Sequence, residues 1–119
     1  MASHVDFKID GIEMYMAEDF GKKNADKFKD IEKRIREGLK DSNLSKVTFW
    51  DVHGDGIQVN LMHKKMQSYV YVIAKLNRDF SNIDEVVEEA IRHFKQKDTP
   101  EGFKAYSDFI SDGLKYGWD

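Results

Sequence analysis

Histidine and aspartate are the residue types in this sequence best suited to metal binding or acid–base chemistry. The histidines are His4, His53, His63 and His93. His53 and His63 flank opposite ends of a predicted hairpin strand, roughly 20 Å apart at about 3.3 Å per residue, so they cannot share a metal ion. Asp51 and His53 fall on one face of a predicted strand, and Asp55 lies in the adjoining turn. These three residues could hold a divalent cation or supply a general base.

Turn geometry explains the same segment without any chemistry. Asp55-Gly56 is a typical turn pair, and Asp51 is predicted to be a strand residue that faces solvent. No Gly-Lys-Ser/Thr sequence follows Gly54 and Gly56, as a phosphate-binding loop would require. The patterns Gly-x-Ser-x-Gly and His-Glu-x-x-His are also absent from the sequence. We therefore expect no catalytic residue, no metal site and no cofactor.

Basic residues recur along one arc of a predicted helix and could meet an acidic protein surface or phosphate groups. They are Lys29, Lys33, Arg36 and Lys40. Acidic residues three or four positions earlier can neutralise them, as on an ordinary solvated helix face. The expected pairs are Asp26 with Lys29, Asp30 with Lys33, and Glu32 with Arg36.

Aromatic residues form two further groups of candidates. Phe49, Tyr69 and Tyr71 are predicted to share one sheet face, where they would stack on single-stranded bases if exposed or join the core if a helix covers them. Tyr116 and Trp118 follow the last predicted helical stripe. Because Tyr and Trp are common interface anchors, these two are expected to bind a partner.

The elements that position these residues can be predicted from periodicity. Residues 5–9 and 12–16 alternate apolar and polar on either side of Asp10-Gly11, which indicates a hairpin with a type I′ turn. Residues 47–52 and 57–63 predict a second hairpin across Gly54 to Gly56, and residues 69–76 predict a further strand. In either tight register of the second hairpin, Trp50 shares a face with Ile57, Val59 and Leu61.

Three stretches predict helices. Apolar residues recur at helical spacing over residues 24–40 and 82–97. A helix at residues 100–115 is indicated by Thr99 as N-cap and Pro100 in the first turn. The order is therefore ββαβββαα, and we expect an α+β fold with a mainly antiparallel sheet of about five strands and three helices packed on it.

Composition limits the class of protein. A chain of 119 residues with 40% hydrophobic and 34% charged residues is typical of a single globular domain, here residues 1–119. It has no cysteine, which excludes disulfides and thiolate zinc sites. No apolar run is long enough to span a bilayer, and the first residues do not resemble a secretory signal. We expect a soluble, cytoplasmic protein.

The function expected from these features is non-enzymatic protein binding, as in small cytoplasmic inhibitors, immunity proteins and adaptors. The partner-binding residues would be Lys29, Lys33, Arg36, Lys40, Tyr116 and Trp118. The alternative is a nucleic-acid-binding protein that uses the basic helix, Lys64, Lys65 and the sheet aromatics. We expect no membrane partner, and the sequence is also compatible with a homo-oligomer.

Overall fold

The described part of the chain folds into one five-stranded sheet with helices packed on one of its faces. The computed structural model describes residues 3–51, 56–65 and 70–102. The elements are β1 (His4–Ile9), β2 (Ile12–Ala17), α1 (Glu18–Lys23), α2 (Ala25–Gly38), β3 (Leu44–Trp50), β4 (Ile57–His63), β5 (Val70–Leu76) and α3 (Ile83–Lys97). The predicted α+β class is confirmed, and the order of elements roughly matches the predicted one, with α1 as an additional helix. Residues 100–102 are helical, and the rest of the helix predicted at 100–115 lies outside the described residues.

The strands lie side by side in the order in which they occur in the chain. Three strand pairs are antiparallel, as predicted for most of the sheet, whereas β2 and β3 are parallel. A parallel pair needs a crossover of a dozen or more residues, and α1 with α2 supplies it. The sequence pattern does not predict α1, because its six residues are too few to show a helical period.

The hairpin of β1 and β2 turns at Asp10-Gly11, as predicted. Both residues have positive φ angles, 48° and 84°, which is the requirement of a type I′ turn. The pairing places Ile9 opposite Ile12, Phe7 opposite Met14 and Lys8 opposite Glu13. The predicted register of this hairpin is therefore confirmed.

The core lies between one face of the sheet and the two long helices. α2 contributes Phe28, Ile31 and Ile35, and α3 contributes Val86, Ala90 and Phe94, all of them buried. Both helices begin and end within two residues of the predicted bounds. The helices approach closely at Gly38, where an added Cβ atom would lie 2.3 Å from Cδ1 of Ile91.

The predicted faces of β3 and β4 are wrong. The structure pairs Phe49 with Val59 and Trp50 with Gln58, so Phe49 points into the core and Trp50 points to the other face. A shift of one residue in register exchanges the two faces of a strand. With the predicted tight turn, the number of residues between a residue of β3 and its partner in β4 is even. In the observed pairs, such as Trp50 with Gln58, that number is odd. The reversal of the chain between the two strands is confirmed, although residues 52–55 are not described.

A helix that crosses a bilayer needs about 20 predominantly apolar residues. None of the helices in the described ranges has the length and apolar character needed to cross a membrane.

Candidate functional site

The face of the sheet opposite α2 and α3, hereafter the outer face, carries an exposed tryptophan. Trp50 retains 38% of its accessible surface and is one of two large apolar side chains that are exposed in the described ranges. Cross-strand pairing places Tyr15 directly beside Trp50, and Asp6 beside Tyr15. These residues form a row across β1, β2 and β3. We call this row and its immediate neighbours the Trp50 surface: His4, Asp6, Lys8, Glu13, Tyr15, Lys46 and Trp50.

Charged side chains of both signs surround the aromatic centre of the Trp50 surface. Lys46 Nζ lies 2.9 Å from Glu13 Oε1, and Lys8 pairs with Glu13 across β1 and β2. A concavity of about 390 Å³ is lined by residues that include Trp50, Glu13 and Asp6. The arrangement combines an apolar aromatic centre with a polar and charged rim.

His4 and Asp51 hold one end of the Trp50 surface in place. His4 Nε2 lies 3.0 Å from Asp51 Oδ2, and the His4 ring lies 5.7 Å from the Tyr15 ring. The backbone N–H of Asp51 donates to the carbonyl oxygen of Tyr15 at 2.7 Å. The first residue of β1, the middle of β2 and the end of β3 are thus joined by hydrogen bonds.

Asp51 does not face solvent, contrary to the prediction. It is 5% exposed, and its second carboxylate oxygen accepts a hydrogen bond from Arg78. A buried carboxylate is tolerated when it is paired in this way. His53 and Asp55, the other members of the predicted Asp/His/Asp cluster, lie outside the described residues. No group of three metal-ligating side chains occurs within residues 3–51, 56–65 and 70–102.

Between β3 and β4 the outer face carries two buried polar side chains. Thr48 and Asn60 lie on this face and are 2% and 0% exposed. Within the described part of the chain, the Thr48 hydroxyl and both polar atoms of the Asn60 amide have no hydrogen-bond partner. The region around Trp50 is thus more accessible than the outer face at Thr48 and Asn60.

His63 belongs to a second polar cluster, which joins the start of β3 to the ends of β4 and α3. His63 Nε2 lies 2.8 Å from Asp98 Oδ1, and the backbone N–H of Lys65 donates to His63 Nδ1 at 3.1 Å. This assigns the Nε2–H tautomer, in which His63 donates to Asp98. Asn43 donates to Asp98 through its backbone and its side chain. Because both ring nitrogens are occupied, His63 is not placed to act as a general base.

Hydrogen bonding lowers the pKa of Asp98. Burial acts in the opposite direction, but the hydrogen bonds from Asn43 and then from His63 favour the charged form and outweigh it. The His63 ring also stacks on Phe94, with 5.8 Å between the ring centroids. The cluster is best explained as a structural link between three elements.

The predicted basic residues lie on and after α2, partly held by ion pairs. Lys29 Nζ is 2.9 Å from Asp10 Oδ2 and 3.8 Å from Asp26 Oδ1, and the hydrogen bond that Lys29 donates to Asp10 raises the pKa of Lys29. Arg36 pairs with Glu32, as expected, and donates to the carbonyl oxygen of Ser45.

The predicted pair of Asp30 with Lys33 is not formed. Asp30 instead lies 3.7 Å from Arg34, four residues on, so that Lys33 is left without this partner. Lys33 and Lys40 are exposed, and neither forms an ion pair with another residue in the described ranges.

Several of the predicted aromatic candidates are core residues or are not described. Phe49 is fully buried, so it cannot stack on a nucleic-acid base. Tyr69, Tyr116 and Trp118 lie outside the described residues, as does the side chain of Tyr71. Lys64 and Lys65 are exposed.

Sequence reasoning missed the combination of His4, Tyr15 and Trp50. The alternation in β1 and β2 places Tyr15 on the outer face, but the wrong register of β3 placed Trp50 on the face of Ile57, Val59 and Leu61. The parallel pairing of β2 with β3 leaves no local signal in the sequence, because the two strands are joined through two helices. No protein-family model, no curated protein and no solved structure matches this chain.

Proposed function

We propose that this protein is a non-enzymatic protein-binding module that occupies the surface of a partner protein, as small inhibitors, immunity proteins and adaptors do. The exposure of Trp50 beside Tyr15 and His4 is the observation that carries the proposal. Tryptophan and tyrosine are strongly enriched among the few residues that dominate the free energy of protein–protein binding.

The surroundings of Trp50 suit an interface. Its rim carries acidic and basic side chains, Glu13 and Lys46 among them, that can pair with a partner and exclude water from the aromatic centre. The hydrogen bonds of Asp51 fix the strand ends before any partner arrives. A preformed surface loses less conformational entropy on binding than a flexible one.

The polar clusters support binding rather than catalysis. Asp51 uses both carboxylate oxygens for His4 and Arg78, and His63 uses both ring nitrogens for Asp98 and Lys65. A catalytic acid or base needs a polar atom that can reach the substrate. These groups instead hold secondary-structure elements together.

The proposal is tested by substituting Trp50 with alanine and measuring partner capture. The immobilised protein is incubated with lysate of the source organism, with and without nuclease treatment, and captured proteins are identified by mass spectrometry. Once a partner is identified, titration calorimetry compares the wild type with the variant. We expect Trp50→Ala to weaken binding by about 2 kcal/mol or more, because buried tryptophans at interfaces contribute at this level.

Two further variants locate the binding surface. Gln96→Ala changes an exposed side chain on α3, on the far side of the sheet, and should bind like the wild type. A double variant, Lys33→Ala with Lys40→Ala, tests the basic residues on and after α2. A partner whose affinity falls only in this double variant, or one lost on nuclease treatment, would contradict the assignment of binding to the Trp50 surface.

A further inference from the structure

β1 lies at the edge of the sheet. Its edge opposite β2 is unpaired in the described structure. It pairs with β2 on one side, and no described strand lies on the other. All six residues of β1 are exposed or half-buried, and Val5 is 39% exposed. The strand contains neither proline nor a bulge, which are two common protections of an exposed edge. Such an edge is a template for pairing with another strand.

The type I′ turn determines which backbone groups of β1 point outward. In a two-residue hairpin the residues flanking the turn, here Ile9 and Ile12, exchange hydrogen bonds, and bonded and non-bonded pairs then alternate. Val5 and Phe7 therefore also use their N–H and C=O groups for β2. The corresponding groups of Asp6 and Lys8 point away from β2, toward the free edge.

The side chains of β1 are complementary to a second copy of the same strand. In an antiparallel pair centred on Phe7, Asp6 of each copy faces Lys8 of the other, and Val5 faces Ile9. Phe7 then faces its own counterpart. Opposite charges and apolar pairs at facing positions both stabilise a sheet. In this register the outward backbone groups of Asp6 and Lys8 meet as hydrogen-bonded pairs, as the ladder requires.

The neighbouring register is much less favourable. A pair centred on Asp6 would place two aspartates opposite each other and would set His4 against Lys8. Like charges at facing positions destabilise a sheet. A register shifted by an odd number of residues would pair apolar residues of one copy with charged residues of the other. The apolar face of one copy would then continue into the charged face of the second. The sequence of β1 thus selects the register centred on Phe7.

We propose that β1 binds β1 of a second copy of this chain, forming a two-fold symmetric dimer with a continuous ten-stranded sheet. The contact is small, so it forms a concentration-dependent equilibrium between monomer and dimer and not an obligate dimer. The inference is independent of the partner protein proposed above, because it concerns the purified chain alone.

Charge exchange on β1 tests the proposal directly. Asp6→Lys places lysine opposite Lys8, and Lys8→Asp places aspartate opposite Asp6, so each variant repels itself at two positions. We expect each to weaken the dimer about tenfold or more in sedimentation velocity over a concentration series. An equimolar mixture of the two variants restores both ion pairs and should form a heterodimer, which native mass spectrometry distinguishes by mass.

Asp26→Lys is the matched control for Asp6→Lys, because it makes the same change of charge at a fully exposed position on α2. It should dimerise like the wild type. Circular dichroism verifies that every variant is folded. The proposal is overturned if the wild type stays monomeric up to about millimolar concentration, because a weak specific contact would be detected below that concentration. A mixture of the two β1 variants that forms no heterodimer also overturns it.

Amide hydrogen exchange supplies a test that needs no variant. The amides of Val5, Phe7 and Ile9 should be protected at every protein concentration, because they bond to β2. Those of Asp6 and Lys8 should become protected only as the concentration rises. Protection of Asp6 and Lys8 that does not change with concentration would contradict dimerisation through this edge.

Discussion

Asp51 and Asp98 are two carboxylates that each join elements far apart in the sequence. Asp51 binds His4 and Arg78, 47 and 27 residues away, and Asp98 binds Asn43, 55 residues away. Such contacts have no local signature. The sequence therefore identifies Asp51 only as a strand residue near a turn, and the burial of its carboxylate emerges from the packing of β1 and the segment after β5.

Replacing Asp98 with asparagine tests the structural link at residue scale. Three donors converge on its carboxylate, and an amide offers only one acceptor oxygen. We expect Asp98→Asn to lower the free energy of unfolding by about 2 kcal/mol at pH 7, as for lost hydrogen bonds to a charged group. Urea denaturation measures the change.

The pH dependence of this loss has a definite sign. The pKa of Asp98 is lowered in the folded state, so its stabilising contribution is present above the unfolded pKa of about 3.9 and is lost as pH falls through the folded pKa. The difference between wild type and Asp98→Asn should therefore shrink below about pH 4. Asp84→Asn is the control: its carboxylate pairs with Arg34, but it is 91% exposed, and removal of its charge should cost less than about 1 kcal/mol. A constant difference from pH 7 to pH 3 would contradict the role of the charge.

At the scale of elements, periodicity predicted the elements with a strong local signal. The β1–β2 hairpin follows from Asp10-Gly11 between two alternating runs, and α2 and α3 follow from long apolar stripes. The exchange of Phe49 and Trp50 shows the limit of this reasoning. Both are large aromatic residues in a strand, so composition does not distinguish them, and the register depends on a connection whose length the sequence leaves ambiguous.

Gly11 provides a test of the turn that fixes the register of β1. Its φ angle is 84°, and an added Cβ atom would meet no other atom within 4 Å. The cost of Gly11→Ala is therefore conformational and not steric, and we expect a loss of about 1 kcal/mol, the penalty of a left-handed conformation for an L-residue. Thermal denaturation checks this value. Asn at the same position tolerates positive φ better, so Gly11→Asn should be closer to the wild type, and an equal loss in both variants would contradict the explanation.

At the scale of the whole molecule, the order of strands in the sheet equals their order in the chain. A single cut between α2 and β3 therefore separates two contiguous groups of strands. The first fragment keeps the β1–β2 hairpin and the second keeps β3, β4 and β5, and the parallel pairing of β2 with β3 is the sheet contact that crosses the cut. Each fragment also retains one long helix whose apolar stripe needs the other fragment for burial.

This arrangement suits fragment complementation. Asp41 is exposed, and a break between Asp41 and Ser42 disrupts no strand or helix. We expect fragments 1–41 and 42–119, when co-expressed, to associate into a complex with the circular dichroism spectrum of the intact chain, and each fragment alone to lack a stable fold. A second cut within β4 should prevent reassembly, because it divides a central strand. A protein that can be separated and rejoined at this position could report the proximity of two proteins fused to its halves.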